Sequence, residues 1–294
     1  MTEYTLSALH GSNPLGFLAG LGTLVLASRK SGPGQVRLAW HAAPPHAARL
    51  WCAEPDQSAL AAALFAALMD KAGPTPEGIT GTKAFKELTL LICRGQFYKL
   101  PADGAALLAA MASDATAEDP PVRGALVMTG GPQDFTAEVA KLRAAVRAAG
   151  HPAIQTAVFG PWQYEEGHPL GFDPLMERQH GYLGAKPERD SRRVPGAVLL
   201  GVTALELLPL YPAESRNGIA NACFRDRQWQ TMTWPLWSPP LAVRAVESLL
   251  SVRRERSQDA LPSEGIFAEF GAERKEVKTA GGSYPVLRPG RRML

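Results

Sequence analysis

The feature that most constrains this chain is the punctuation near its start. There the run Tyr4-Thr5-Leu6-Ser7-Ala8-Leu9 meets the turn His10-Gly11-Ser12-Asn13-Pro14, followed by a long apolar stretch. Alternation of polar and apolar residues marks a half-buried strand. Asn13 is placed to accept a backbone N–H as a helix N-cap, and Pro14 suits the first helical position. Leu15 to Arg29 contains no proline, so the spacing predicts strand, capped turn and helix in that order. Gly16, Gly20 and Gly22 lower helix propensity but permit close backbone approach, and the helix is therefore expected to be buried.

Beyond this opening, Gln35 to His41 alternates again and reads as a strand. The alanine-rich runs Ser58 to Met69, Ala105 to Ala112 and Thr136 to Ala149 predict scaffold helices, while Glu87 to Tyr98 and Gly124 to Met128 predict strands. Ser113 to Pro121 and Gly150 to Pro169 carry loop signals, the second being the expected place of a structural division. In the second half, Gly196 to Leu208 predicts a buried helix ended by Pro209, and Leu241 to Ser251 a helix after Pro239-Pro240. Asn221 to Phe224 and Trp229 to Trp234 flank Arg225-Asp226-Arg227 as a hairpin would. Gly265 to Lys278 reads as a strand or strand pair, and Tyr284 to Arg292 as an extended basic tail, expected to be mobile. The expected class is α+β: a mixed sheet packed with helices, an N-terminal strand-turn-helix, and a second half with a hairpin and helices. The expected division is a helix-rich α/β scaffold over 1–150 and a Trp/Arg-rich α+β region over 151–294, with one continuous domain as the alternative.

Motifs for catalysis and nucleotide binding are missing from the sequence. It holds no Gly-x-Ser-x-Gly elbow, no GxxxxGK[ST] and no GxGxxG. Cys52, Cys93 and Cys223 are odd in number and far apart, which excludes a disulfide framework and predicts reduced, buried thiols. The first residues lack a secretory signal's positive region, and Leu15 to Ala27 is too short to span a bilayer; a cytoplasmic protein is expected. Asp173, Glu177, His180, Glu188 and Asp190 form the one grouping from which a divalent-metal or hydrolytic site would be built. No two-histidine-carboxylate pattern surrounds them, so no catalytic residue, metal or cofactor is assigned, and the chain is expected not to be an enzyme.

Charge points elsewhere. From Arg178 to Leu294, eighteen basic side chains face twelve acidic ones, so the small overall surplus of +3 is concentrated in the second half. Arginines there are interleaved with rings, among them Tyr182 and Trp229. Guanidinium groups fork onto phosphates and aromatic faces stack on bases. Arg189, Arg192, Arg193, Arg225 and Arg227 are the residues expected to contact nucleic-acid phosphates.

The run His10-Gly11-Ser12-Asn13-Pro14-Leu15-Gly16-Phe17-Leu18-Ala19-Gly20-Leu21-Gly22-Thr23-Leu24 resembles the opening G-x-N-P-L-G-F-L-A-A-L-G signature of CRISPR-associated proteins of type I-G (formerly I-U) systems. Softer similarities to that family are Arg178 to Tyr182, Leu207 to Pro212 and Trp234-Pro235-Leu236-Trp237. Together they look similar to the family of small subunits, or extensions, associated with the helicase-nuclease of those systems. The resemblance implies a cytoplasmic component of antiviral defence that works with other effector subunits and guide RNA. It carries over no catalytic residue. On that footing the leading expectation is a non-catalytic subunit or accessory supporting target DNA binding or R-loop formation, with sequence read by guide-RNA pairing. Two alternatives stand beside it: an adaptor recruiting the helicase-nuclease through an apolar surface around Trp234 to Trp237, and a metal-dependent nuclease built on the region from Asp173 to Asp190.

Overall fold

The computed structural model describes residues 1–70, 95, 97–113, 122–129, 135–175, 192–212, 219–221, 223–224, 230–252, 265–279 and 282–293. Strand β1 (Thr2–His10) turns Tyr4 and Leu6 inward and Glu3, Thr5 and Ser7 outward, as a period of two requires. The register of β1 against its neighbour, Ala47–Cys52, shifts between Leu6 and His10. That irregularity moves the inward position from even to odd residues, so Leu9 is buried as well and His10 arrives half-buried at the turn.

Helix α1 (Pro14–Ser31) starts there. Asn13 Oδ1 accepts from Leu15 N at 2.8 Å and Gly16 N at 3.2 Å, and the Asn13 carbonyl accepts from Phe17 N at 2.8 Å. Pro14 has no N–H, so the donors of the first turn are all accounted for. Every residue from Pro14 to Leu26 is buried, which makes α1 the central helix of the fold.

One antiparallel sheet beside α1 has the order β1-β3-β2-β11, with β2 at Arg37–Trp40, β3 at Ala47–Cys52 and β11 at Leu241–Ala242. A second runs through β10 (Thr231–Trp237), β12 (Ile266–Thr279) and β13 (Gly282–Leu287), with β14 (Arg291–Arg292) also paired to β12. The sheets and α1 share an aromatic cluster. Phe17 stacks on Trp40 at 5.7 Å and on Trp234 at 5.8 Å, Trp234 stacks on Phe270 at 6.1 Å, and Trp237 meets Trp40 edge-on at 6.1 Å. Offset and edge-on rings add to the burial itself.

The helices cover the other side: α2 (Gln57–Met69), α3 (Ala102–Met111), α4 (Phe135–Ala149), α5 (His151–Val158), α6 (Pro195–Ala204) and α7 (Val243–Val252). Helix α6 is buried from Gly196 to Ala204 and packs along α1, continuing as a short 3-10 turn, Leu205–Leu207. The approach is close enough that a β-carbon at Gly22 would overlap the Leu200 carbonyl oxygen. One hydrophobic cluster draws on both halves of the chain, including Leu6, Leu24, Val198, Leu200, Trp234 and Leu287.

The class is α+β with an N-terminal strand and helix, as expected, but several local expectations need correction. All described strand pairings are antiparallel, so the sheets are not mixed. The stretch expected to be a loop after Gly150 holds α5, whose Pro152 stands in the first helical turn, where a missing N–H costs nothing. Gly124 to Met128 is buried but not a strand; the two-residue strand β5 (Val122–Arg123) ends before it, and Val127 N closes a turn on Gly124 O at 3.1 Å. The basic tail is tied down through β13 and β14. Trp234 and Trp237 are both fully buried, and their indole N–H groups donate to Gly11 O at 2.7 Å and Leu38 O at 2.8 Å. The apolar surface on which the adaptor alternative drew is therefore core. Cys52 and Cys223 are buried free thiols, and Cys93 lies outside the described residues, as does most of the strand expected at Glu87 to Tyr98. Among the described residues no helix is long and apolar enough to cross a membrane.

Candidate ligand cleft at the head of the central helix

The turn that feeds α1 is held from several directions. Gly11 N donates to His46 O at 2.9 Å, Gly11 O accepts from Trp234 Nε1, and Asn13 N closes on His10 O at 3.0 Å. Fixed in this way, His10, Ser12 and Asn13 form one side of a cleft of about 340 Å³, completed by Tyr164, Asp173, Pro174, Leu175, Pro289 and Gly290. A neighbouring cleft of about 400 Å³ shares His10, Asn13 and Tyr164 and extends along Ser7, Phe159 and Trp162.

Each contribution has a local cause. The C-terminal segment comes close because residue 290 is glycine; a β-carbon there would overlap Ser12 O. The middle segment is pinned by Leu287 N, which donates to Gly171 O at 2.8 Å. Just before it, Leu170 sits at φ 56°, a conformation rare for a branched side chain, within the bend that brings Asp173 round. Tyr164 packs edge-on against Trp162 at 6.4 Å, and Trp162 Nε1 donates to Ala157 O at 2.9 Å, anchoring the pair to α5.

Asp173 is the chemically distinctive point of this arrangement, although only 1% of it reaches solvent. Its Oδ1 accepts from Leu175 N at 2.9 Å, and the carboxyl is also hydrogen-bonded to the Tyr164 hydroxyl. Burial raises the pKa of its carboxyl, and the Leu175 N–H and the adjacent Tyr164 hydroxyl only partly oppose that rise. Burial and the neighbouring Asp173 likewise raise the pKa of the Tyr164 phenol. On the opposite wall, His10 Nε2 lies 3.1 Å from Ser7 O, and since a carbonyl only accepts, Nε2 is the donor. Asn13 uses its oxygen on the helix and presents its NH2.

A larger cleft of about 520 Å³ lies at the far end of α1, lined by Ala63, Ala66, Ala67 and Arg29 among others. Both of its cations are committed, Arg29 lying 2.7 Å from Glu206 and 3.4 Å from Asp103, and Lys30 2.9 Å from Glu54.

The arginines expected to hold phosphates separate. Arg192 and Arg193 form the two-residue strand β7, paired with β6 (Glu165–Glu166), and strand alternation points them in opposite directions. Arg192 is exposed, whereas Arg193 is buried against Gly167, with its Nε 3.4 Å from Glu165. Arg193 is thereby engaged inside the fold. Arg189, Arg225 and Arg227 lie outside the described residues. So do Glu177, His180, Glu188 and Asp190, leaving Asp173 as the described member of the metal-type grouping, and no three His, Cys, Asp or Glu side chains gather into a metal site among the described residues.

The same region sets a pH dependence. His168 Nδ1 accepts from Leu170 N at 3.1 Å, and its side chain is largely buried near Arg193 and Lys141. Burial pushes its pKa down from 6.5 to about 4, the nearby Glu138 partly opposing the fall and the two cations adding to it. Because the folded pKa is depressed, the stability it contributes is present above about 6.5 and is lost as pH falls toward about 4. Urea midpoints between pH 7.5 and 4.5 should therefore fall more steeply for the natural protein than for His168→Asn, whose amide oxygen can still accept from Leu170 N. The difference approaches roughly 1.4 kcal/mol per pH unit at its steepest. Parallel profiles would remove His168 as the cause.

No protein-family model matches this sequence, and no curated protein is similar enough to count as a match.

Proposed function

We propose that this chain is a non-catalytic subunit or accessory of a type I-G CRISPR antiviral effector, supporting target DNA binding or R-loop formation beside other effector subunits, guide RNA and the helicase-nuclease. The observation that carries the reading is the opening segment. The residues on which the family resemblance rests, His10 to Leu24, are those that build the capped turn, much of the central helix and one wall of the cleft. A segment so fully committed to the fold explains its own sequence pattern. It also supports a chain built on the same plan as the proteins it resembles.

Arg192 is the exposed member of the proposed phosphate contacts among the described residues. Arg192→Glu should weaken binding to duplex and single-stranded DNA alike, whatever the sequence. It should also flatten log affinity against log salt by ~0.7–0.9 for each phosphate that Arg192 neutralises. An unchanged slope removes Arg192 from the interface. Arg193→Glu, by contrast, should lower the melting temperature, because it places a carboxylate beside Glu165 in a buried position. The wider test is purification of the tagged protein from cells expressing its own operon. Co-recovery with guide RNA and effector subunits supports the proposal, and recovery with neither overturns it.

A further inference from the structure

Strand alternation places one cation of β12 where a cation is costly. Phe270 and Ala272 are buried, Glu273 and Lys275 on the other face are exposed, and Arg274 continues the buried row, itself half-buried. Its Nε is shielded from solvent without a hydrogen-bond partner, and among the described residues its guanidinium closes no salt bridge.

The fold brings a second cation to it. Arg274 stands opposite Leu287 in the ladder of β12 and β13, and Leu287 N donates to Gly171 O. Gly171 is wedged between β13 and the turn from Gly124 to Thr129, since a β-carbon there would overlap Pro285 O and press on Met128. That turn leaves β5 at Arg123, whose Nη2 reaches back to the Thr129 carbonyl and hydroxyl, both at 2.8 Å. The Arg123 guanidinium is thus held in place, close enough to Arg274 for the two charges to repel. Burial first and then Arg274 push the pKa of Arg123 down to about 10. Burial lowers that of Arg274 as well, with the exposed Glu276, two residues along the same face, partly opposing. Like charges repel more strongly out of water than in it, so the free protein is destabilised here. An oxyanion between the two groups turns the repulsion into attraction. A phosphate points its oxygens in several directions and can accept from two planar forks that arrive from different elements.

We propose that Arg123 and Arg274 together hold one phosphate group. The source is a phosphodiester of the nucleic-acid backbone, and only that source rests on the reading of the chain as a nucleic-acid-binding subunit.

The test uses the full chain and Arg274→Met, which keeps an apolar stem along β12 and removes the charge. Without ligand the variant should melt at the same temperature as the natural protein or higher, because it relieves a repulsion and breaks no ion pair. In fluorescence anisotropy it should bind a labelled single-stranded 15-mer about tenfold more weakly, whatever the sequence. Log affinity against log salt should flatten by ~0.7. Arg274→Lys, which keeps the charge without the fork, should restore the slope; failure to do so would assign the loss to packing and count against the site. Unchanged affinity and slope in Arg274→Met overturn the site while leaving the effector reading standing. A lower melting temperature in that variant overturns it too, since Arg274 would then be paired within the fold. If no oligomer binds the natural protein, the effector reading falls and inorganic phosphate decides the site. Added at constant ionic strength, it should raise the melting temperature of the natural protein and leave that of Arg274→Met unmoved. Equal shifts in the two, or none in either, end the proposal.

Discussion

Gly22→Ala is expected to lower the unfolding free energy by roughly 3 kcal/mol or more, read as a drop in urea midpoint at unchanged slope. An exposed helical glycine replaced by alanine would be expected to gain about 1 kcal/mol. Here the sign reverses because the added methyl has nowhere to go. It would overlap the carbonyl oxygen of Leu200, and that oxygen belongs to the backbone of α6, which is buried from Gly196 to Ala204 and cannot rotate aside. The two helices must separate, and the side chains packed between them are pulled apart together. A neutral or stabilising outcome would mean that α1 and α6 do not meet at this point.

Trp234→Ala should cost about 3–5 kcal/mol through the cavity alone. The ring is fully buried, stacked between Phe17 and Phe270, and its N–H satisfies Gly11 O. Trp234→Phe separates the two contributions: it keeps much of the stacking but leaves the Gly11 carbonyl unpaired, a penalty of about 1–3 kcal/mol. Full stability in Trp234→Ala would place the indole on the surface after all.

Local chemistry makes most helices of this fold readable. Asn13-Pro14 announces α1, and the alanine-rich stretches and the apolar runs after proline announce α2, α4, α6 and α7. At Gly150 and in the tail the local signals mislead because they report punctuation without reporting its partner. Gly150 and Pro152 carry loop chemistry, yet they mark the end of one helix and the first turn of another, and a break between two helices uses the same residues as a loop. The tail from Tyr284 has no sign of an anchor in its own residues, because its strand partner, β12, is long enough to carry β10, β13 and β14, and a sequence does not display pairing capacity. Of the cleft, the turn residues His10 to Asn13 are legible as a unit, and Asp173 stands out in sequence only through the company of other carboxylates. Tyr164, Pro289 and Gly290 are not legible, since only tertiary packing brings them to the turn. The opposite orientations of Arg192 and Arg193 come from strand alternation, which applies only once the pair is known to be a strand.

The cleft joins His10 to Gly290, so its walls come from segments far apart in the sequence. During synthesis, β1 and α1 leave the ribosome long before residues 289 and 290 are made. The early segment must wait with an unfinished recess at the end of its central helix. The recess at the head of α1 is completed only once residues 289 and 290 have been made, so a nascent chain stalled before β14 would hold much of the helical core with that recess still open on one side.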